Sequence, residues 1–112
     1  AATLADKAKA LILDIDIRQS NHEGHLIDWL HEANAARAKA VILNAGAFTH
    51  TSIALHDAVK AITVPVIEVH PPNRQARDHY RRRSYVAPVA RGTIAGFGAL
   101  GYELALDAAA RL

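Results

Sequence analysis

Three polar side chains of the 112-residue chain have the types and spacing for acid-base chemistry on a small polar molecule: Asn44, His50 six residues later, and His70. A neutral imidazole donates or accepts a proton near pH 7. An asparagine amide orients a water or holds an oxyanion without titrating. The same residues also admit a structural reading, in which His50 caps the next helix, Asn44 closes a turn and His70 is a loop residue. Spacing alone leaves both open.

The elements that position them alternate between two periods. Residues 2–9 read as helix. The stretch "LILDIDI" (11–17) starts apolar and then alternates Ile15 and Ile17 with Asp14 and Asp16, as a half-buried strand does. Ser20 and Glu23 form an S-x-x-E capping box ahead of a helical stripe of Leu26, Ile27, Leu30 and Ala33. "AVILN" (40–44) is a short apolar strand, followed by a loop and a helix over 52–61. "VPVIEV" (64–69) repeats the strand signature, and "SYVAPV" (84–89) reads as a shorter fourth strand. Residues 93–112 close the chain as a helix, with Gly96, Gly98 and Gly101 placed for close approach to a neighbour.

Strands and helices in alternation with short connections predict right-handed βαβ units on a parallel sheet covered on both faces, a single domain over 1–112. Ligands of such folds bind beyond the carboxyl ends of the strands. Residues 19–21, 44–50 and 70 onward fall there.

Composition narrows the function classes. No apolar run approaches the ~20 residues of a membrane span, and no signal peptide opens the chain, so we expect a soluble, cytoplasmic protein with no membrane partner. The absence of cysteine excludes disulfides and thiolate metal sites. His22, His25 and His31 lie on one predicted helix, but no carboxylate completes a ligand set, and we read them as surface histidines with no metal. The net charge of +2 conceals a stretch, residues 74–83, at +4, which leaves −2 for the remainder. Its arginines Arg74, Arg77, Arg81, Arg82 and Arg83 suit an anionic partner. Nucleic acid would require stacking aromatics among them. Tyr80 and Tyr85 supply these nominally, yet the family resemblance given next accounts for the same residues better, and on that ground we expect no nucleic-acid partner.

The segments "QSNHEGHLIDWLHEA", "VILNAGAFTHTSIALHDA", "PVIEVH" and "RGTIAGFGALGYELAL" closely resemble the type II 3-dehydroquinate dehydratases, from Asp16 to the C-terminus. The resemblance implies a flavodoxin-like fold and elimination of water from 3-dehydroquinate through an enolate, without metal or cofactor. It implies that His70 is the general acid for the leaving hydroxyl and that Asn44 positions a water on the enolate. His50 and Arg81 would hold ring hydroxyls, Asp57 would reach a neighbouring subunit's site, and Glu68 and Arg77 would support. Trimers assembling to a dodecamer would be the homo-oligomer.

The chain departs from the family's pattern in three ways. By the resemblance, a strand and a lid bearing the tyrosine base precede the first matched motif. The sequence starts after them, so no base is expected at its usual place and little turnover from these residues alone. Lacking that strand, residues 11–17 must pair with 40–44, meet another chain, or stay exposed. Pro71 and Pro72 occupy the positions whose two N–H groups and serine hydroxyl hold the substrate carboxylate in the family. Proline offers neither donor. At about 1.5–3 kcal/mol for each charge-assisted bond, the loss amounts to orders of magnitude in binding. The competing expectation is a noncatalytic oligomeric scaffold of the same fold.

Overall fold

β-Branched, apolar "VIL" and "VIEVH" form two adjacent parallel strands, β1 (Val41–Leu43) and the central β2 (Val66–His70), and β3 (Gly92–Ala95) lies on the far side of β2. The computed structural model describes residues 2–11, 13–73, 80 and 83–112. Among them the helices are α1 (Ala2–Ala10), α2 (Glu23–Ala35), α3 (Ile53–Ala61) and α4 (Leu100–Ala110), with a 3-10 helix at Gly46–His50. None of these helices is long and apolar enough to cross a membrane.

All five residues of β2 are buried. Strand alternation sends Val66, Glu68 and His70 to one face and Ile67 and Val69 to the other. On the first face Val66 packs with Leu43, with Leu30 of α2 and with Leu55, Ala58 and Val59 of α3. On the second, Ile67 and Val69 meet Ala105 and Ala109 of α4. A parallel sheet covered by helices on both faces is the flavodoxin-like arrangement expected. Register aligns Leu43 with Glu68 and Glu68 with Thr93, so the carboxyl ends of the strands lie together.

Local chemistry sets the helix boundaries. Ser52, buried, accepts a hydrogen bond from the Leu55 N–H at 2.9 Å and caps α3. The Asn34 side-chain oxygen accepts from the Thr63 N–H, the Thr63 hydroxyl and the Val64 N–H, which ties the end of α2 to the entry of β2.

Four sequence expectations are corrected. Residues 13–20 form no strand, and Ile15 and Ile17 are 37% and 49% exposed. A strand exists only where a ladder accepts its backbone, and the described residues of β1 pair with β2 alone. The segment is instead tethered by side chains, with the Arg18 guanidinium bridging Asp16 and Glu32 of α2 at 2.9 and 2.8 Å. Ser20 forms no capping box: its oxygen accepts from the His22 N–H and meets His25 Nδ1, while His22 itself is the N-cap. Residues 84–89 are turns rather than a strand. The Ser84 hydroxyl accepts the Val86 and Ala87 N–H groups at 3.1 and 3.0 Å, and Pro88 has no N–H to offer a ladder. Finally, 93–112 divides into the end of β3, a turn and α4. Gly96 and Gly98 have φ of +91° and +57°, a left-handed backbone that interrupts any helix between them.

Gly101 alone of those three glycines marks a close approach. A Cβ there would lie 3.2 Å from Val69 Cγ1, and Val69 is fully buried. Gly101→Ala should therefore destabilise the protein by about 1 kcal/mol in urea denaturation, overpacking outweighing the gain in helix propensity. In a Val69→Ala background that penalty should shrink by at least ~0.5 kcal/mol, and simple additivity would refute the contact.

Candidate active site

The period of two that buries Val66 also buries Glu68, which is 1% exposed, and His70, 5% exposed, on the same face of the sheet. A carboxylate there is destabilising unless donors replace its water. Glu68 Oε2 accepts from the Ser84 hydroxyl at 2.5 Å and lies 2.8 Å from His70 Nε2, and Oε1 accepts from the Thr93 hydroxyl at 2.8 Å. Nε2 makes no hydrogen bond of good direction, so its contact with Glu68 is chiefly electrostatic. Burial alone would push the Glu68 carboxyl up. The close approach of His70, charged when protonated, and the bonds from the Ser84 and Thr93 hydroxyls outweigh burial and hold it below its ordinary value.

A carboxylate cannot donate, so the ring nitrogen facing it carries an N–H. That leaves Nδ1 of His70 as the atom able to exchange a proton with a substrate. One strand away, just past β1, the Asn44 amide oxygen accepts the Gly46 N–H at 3.1 Å and its nitrogen donates to the Tyr102 hydroxyl at 2.8 Å. His50, ending the 3-10 helix, donates from Nδ1 to the Arg83 carbonyl at 2.7 Å, because a carbonyl only accepts. Its Nε2 is thereby the acceptor of the neutral ring.

The segment after Arg83 ties these parts together. Beyond the bonds of Arg83 and Ser84, the Tyr85 N–H donates to the Thr49 carbonyl at 2.9 Å, and the Tyr85 carbonyl accepts from His56 Nδ1 at 2.8 Å. At the exit of β2, the His70 and Pro71 carbonyls accept the Gly96 and Gly98 N–H groups at 3.0 and 2.9 Å.

Of the residues singled out in the sequence, Asn44, His50, Glu68, His70 and Pro71 fall at the carboxyl end of the sheet or in the loops that leave it. Pro72 is exposed beside Pro71, and Asp57 is exposed on α3. Arg77 and Arg81, with Arg74 and Arg82, lie outside the described residues. Sequence reasoning did not place Ser84, Thr93 or Tyr102 at the site. The available signal was a glutamate inside an apolar strand, which requires hydroxyl or N–H donors on its neighbours. A cavity of about 280 Å³ near Lys60, Thr63 and Arg91 lies at the opposite end of β2 and contains none of these groups. Among the described residues no cluster of three or more His, Cys, Asp or Glu side chains could hold a metal ion.

The model of the family described as Dehydroquinase class II matches residues 1–110. A 3-dehydroquinate dehydratase of Rhizobium johnstonii is 56% identical over 100 residues, spanning 89% of this chain and 68% of that one. One of Hyphomonas neptunium is 58% identical over 108 residues, 95% of this chain and 73% of the relative. The crystal structure of a type II dehydroquinase from Propionibacterium acnes superposes with a TM-score of 0.95 at 40% identity, covering 100% of this chain and 82% of that one.

Because the Glu68 carboxyl titrates below its ordinary value, its bonds contribute stability above the ordinary carboxylate range, and that contribution is lost as pH falls through the depressed value. Glu68→Gln should cost about 2–4 kcal/mol near neutrality. Its urea midpoint should also fall less than that of the wild type between about pH 6 and pH 3. Parallel pH profiles for the two proteins would contradict the assigned role of the carboxylate.

Proposed function

The chain belongs to the class II dehydroquinase family, and from that premise we propose that it is a 3-dehydroquinate dehydratase, a lyase converting 3-dehydroquinate to 3-dehydroshikimate and water in the shikimate pathway. The observation that carries the reading to particular atoms is the buried Glu68–His70 pair, which ends β2 one strand away from Asn44. Identities of 56% and 58% to named dehydratases favour the enzyme over a noncatalytic scaffold.

In this reading His70 acts as the imidazolium: with one N–H, on Nε2, against Glu68, it delivers the other proton, on Nδ1, to the leaving hydroxyl and is left as the neutral ring. Asn44, its amide set by Gly46 and Tyr102, positions a water on the enolate oxygen, where a donor stabilises the developing charge. His50 offers Nε2 as acceptor to a ring hydroxyl, and Arg81 donates to a ring hydroxyl, with Arg77 supporting. No residue of 1–112 is assigned the proton-abstracting role, which the resemblance gives to a lid tyrosine. The reaction as assigned uses no metal or cofactor.

Pro71 and Pro72 weaken the hold on the substrate carboxylate, since neither carries an N–H. The exposed apolar side chains Ile53, Phe97 and Leu100 support a homo-oligomer of trimers assembling to a dodecamer, in which Asp57 enters a neighbouring subunit's site. We place the enzyme in the cytoplasm. Sedimentation equilibrium should give a mass in multiples of three chains.

Turnover and binding test the reading separately. In calorimetric titration with 3-dehydroquinate, Pro71→Leu combined with Pro72→Ser should tighten binding at least ~10-fold, as one or two recovered donors would. Growth of enone absorbance should be abolished by His70→Gln with binding retained. Absent binding even in the double variant, or turnover indifferent to His70→Gln, would exclude these assignments.

A further inference from the structure

Two consecutive residues, Arg83 and Ser84, act on the two site histidines. The Arg83 carbonyl fixes the proton of His50 on Nδ1. Ser84 acts on His70 through Glu68, and its own hydroxyl is wired by the backbone. Its oxygen accepts the N–H groups of both Val86 and Ala87, at 3.1 and 3.0 Å, which occupies both lone pairs. The hydroxyl hydrogen has one remaining direction, toward Glu68 Oε2 at 2.5 Å. Ser84 is thus a one-way donor and cannot accept a proton from a neutral Glu68 carboxyl. Thr93, directly opposite Glu68 in the β2–β3 register, donates to the other oxygen.

We propose that Ser84, with Thr93, is a positioning residue that keeps Glu68 an anion and so holds one N–H of His70 on Nε2, leaving Nδ1 to take up and deliver the proton of the reaction, while Arg83 holds the N–H of His50 on Nδ1. Its bearing on catalysis rests on the reading of His70 as the general acid; the tautomers themselves do not. Among the described groups, the charge acting on Glu68 is that of His70 when protonated, and its other partners, Ser84 and Thr93, are neutral. Leu43, opposite Glu68 on β1, supplies no donor from its side chain. The carboxylate therefore depends on the two hydroxyls and the histidine.

The device explains why a turn occupies residues 84–87. Only a backbone that folds two successive N–H groups onto one serine oxygen removes that oxygen's freedom to accept. It also divides labour in the loop, because one residue's carbonyl orients His50 and the next residue's hydroxyl, through Glu68, orients His70.

Long-range ¹H–¹⁵N correlation of the histidine rings at alkaline pH, with no substrate present, reads both tautomers directly. The native protein should show His70 protonated on Nε2 and His50 on Nδ1. Ser84→Ala should raise the proton affinity of the Glu68 carboxyl about fivefold, the equivalent of one ordinary hydrogen bond, read from the pH midpoint of its side-chain ¹³C shift. The tautomer of His50 should be unchanged. Thr93→Val should act in the same direction, and Ser84→Thr should restore the native midpoint. Should Ser84→Ala fail to fold, the native spectrum and Thr93→Val still decide. His70 protonated on Nδ1 in the native protein, or a Glu68 midpoint unmoved by either variant, would overturn the proposal. Since no turnover is measured, that failure is distinct from failure to dehydrate 3-dehydroquinate.

Discussion

A carboxylate at the centre of a parallel sheet is the constraint on which the site depends. Glu68 lies between Val66 and His70 on one face of β2, where its neighbours' side chains are otherwise apolar. An unpaired charge there would be strongly destabilising, so each surrounding element must bring it a donor. β3 brings Thr93 through the ladder register, β2 itself brings His70 two residues on, and the turn after Arg83 brings Ser84. These partners lie at the carboxyl end of the sheet. Satisfying the charge therefore assembles the histidine, and the turn that delivers Ser84 also delivers the carbonyl that orients His50.

The other face of the sheet makes this arrangement rigid. Ile67 and Val69 alternate with Glu68 and pack against Ala105 and Ala109 of α4, and Gly101 lets that helix approach Val69 closely. Tyr102, the next residue, then reaches over the end of β1 to the Asn44 amide. One helix thus supports β2 from behind and orients the anchor beyond β1. Small residues of the last helix are connected in this way to the placement of a polar group they do not touch.

Much of this was legible in the sequence, for reasons that also explain what was not. Apolar, β-branched runs located β1 and β2, and a helical stripe located α2, because burial of a single element imposes its own period. Asn44, His50 and His70 followed from the rule that parallel sheets bind ligands at carboxyl ends. Residues 11–17 carry an equally good strand pattern, but strandhood belongs to a pair, and no ladder in the described residues receives them. Residues 84–89 failed for a different reason. Ser84 spends its oxygen on the N–H groups a strand would need, a competition that hydrophobic pattern cannot register. Thr93 lay inside a predicted helix, so its alignment with Glu68 was invisible until the Thr-Ile pair proved to be strand and the left-handed Gly96 and Gly98 to be turn.

The prolines after His70 show how folding and binding can be separated within a few atoms. The exit of β2 is held by carbonyls: those of His70 and Pro71 accept the Gly96 and Gly98 N–H groups. No hydrogen bond of that turn uses an N–H from position 71 or 72, so proline there removes nothing the fold requires. Proline also restricts the preceding residue to extended backbone, which is the conformation of His70 at the end of its strand. Chain architecture therefore tolerates Pro71 and reinforces the strand with it. By the family resemblance, the donors lost at these positions are those directed at the substrate's carboxylate. The consequence falls on ligand affinity rather than stability, since the acid, its carboxylate partner and the anchor at Asn44 are held by bonds to other parts of the chain.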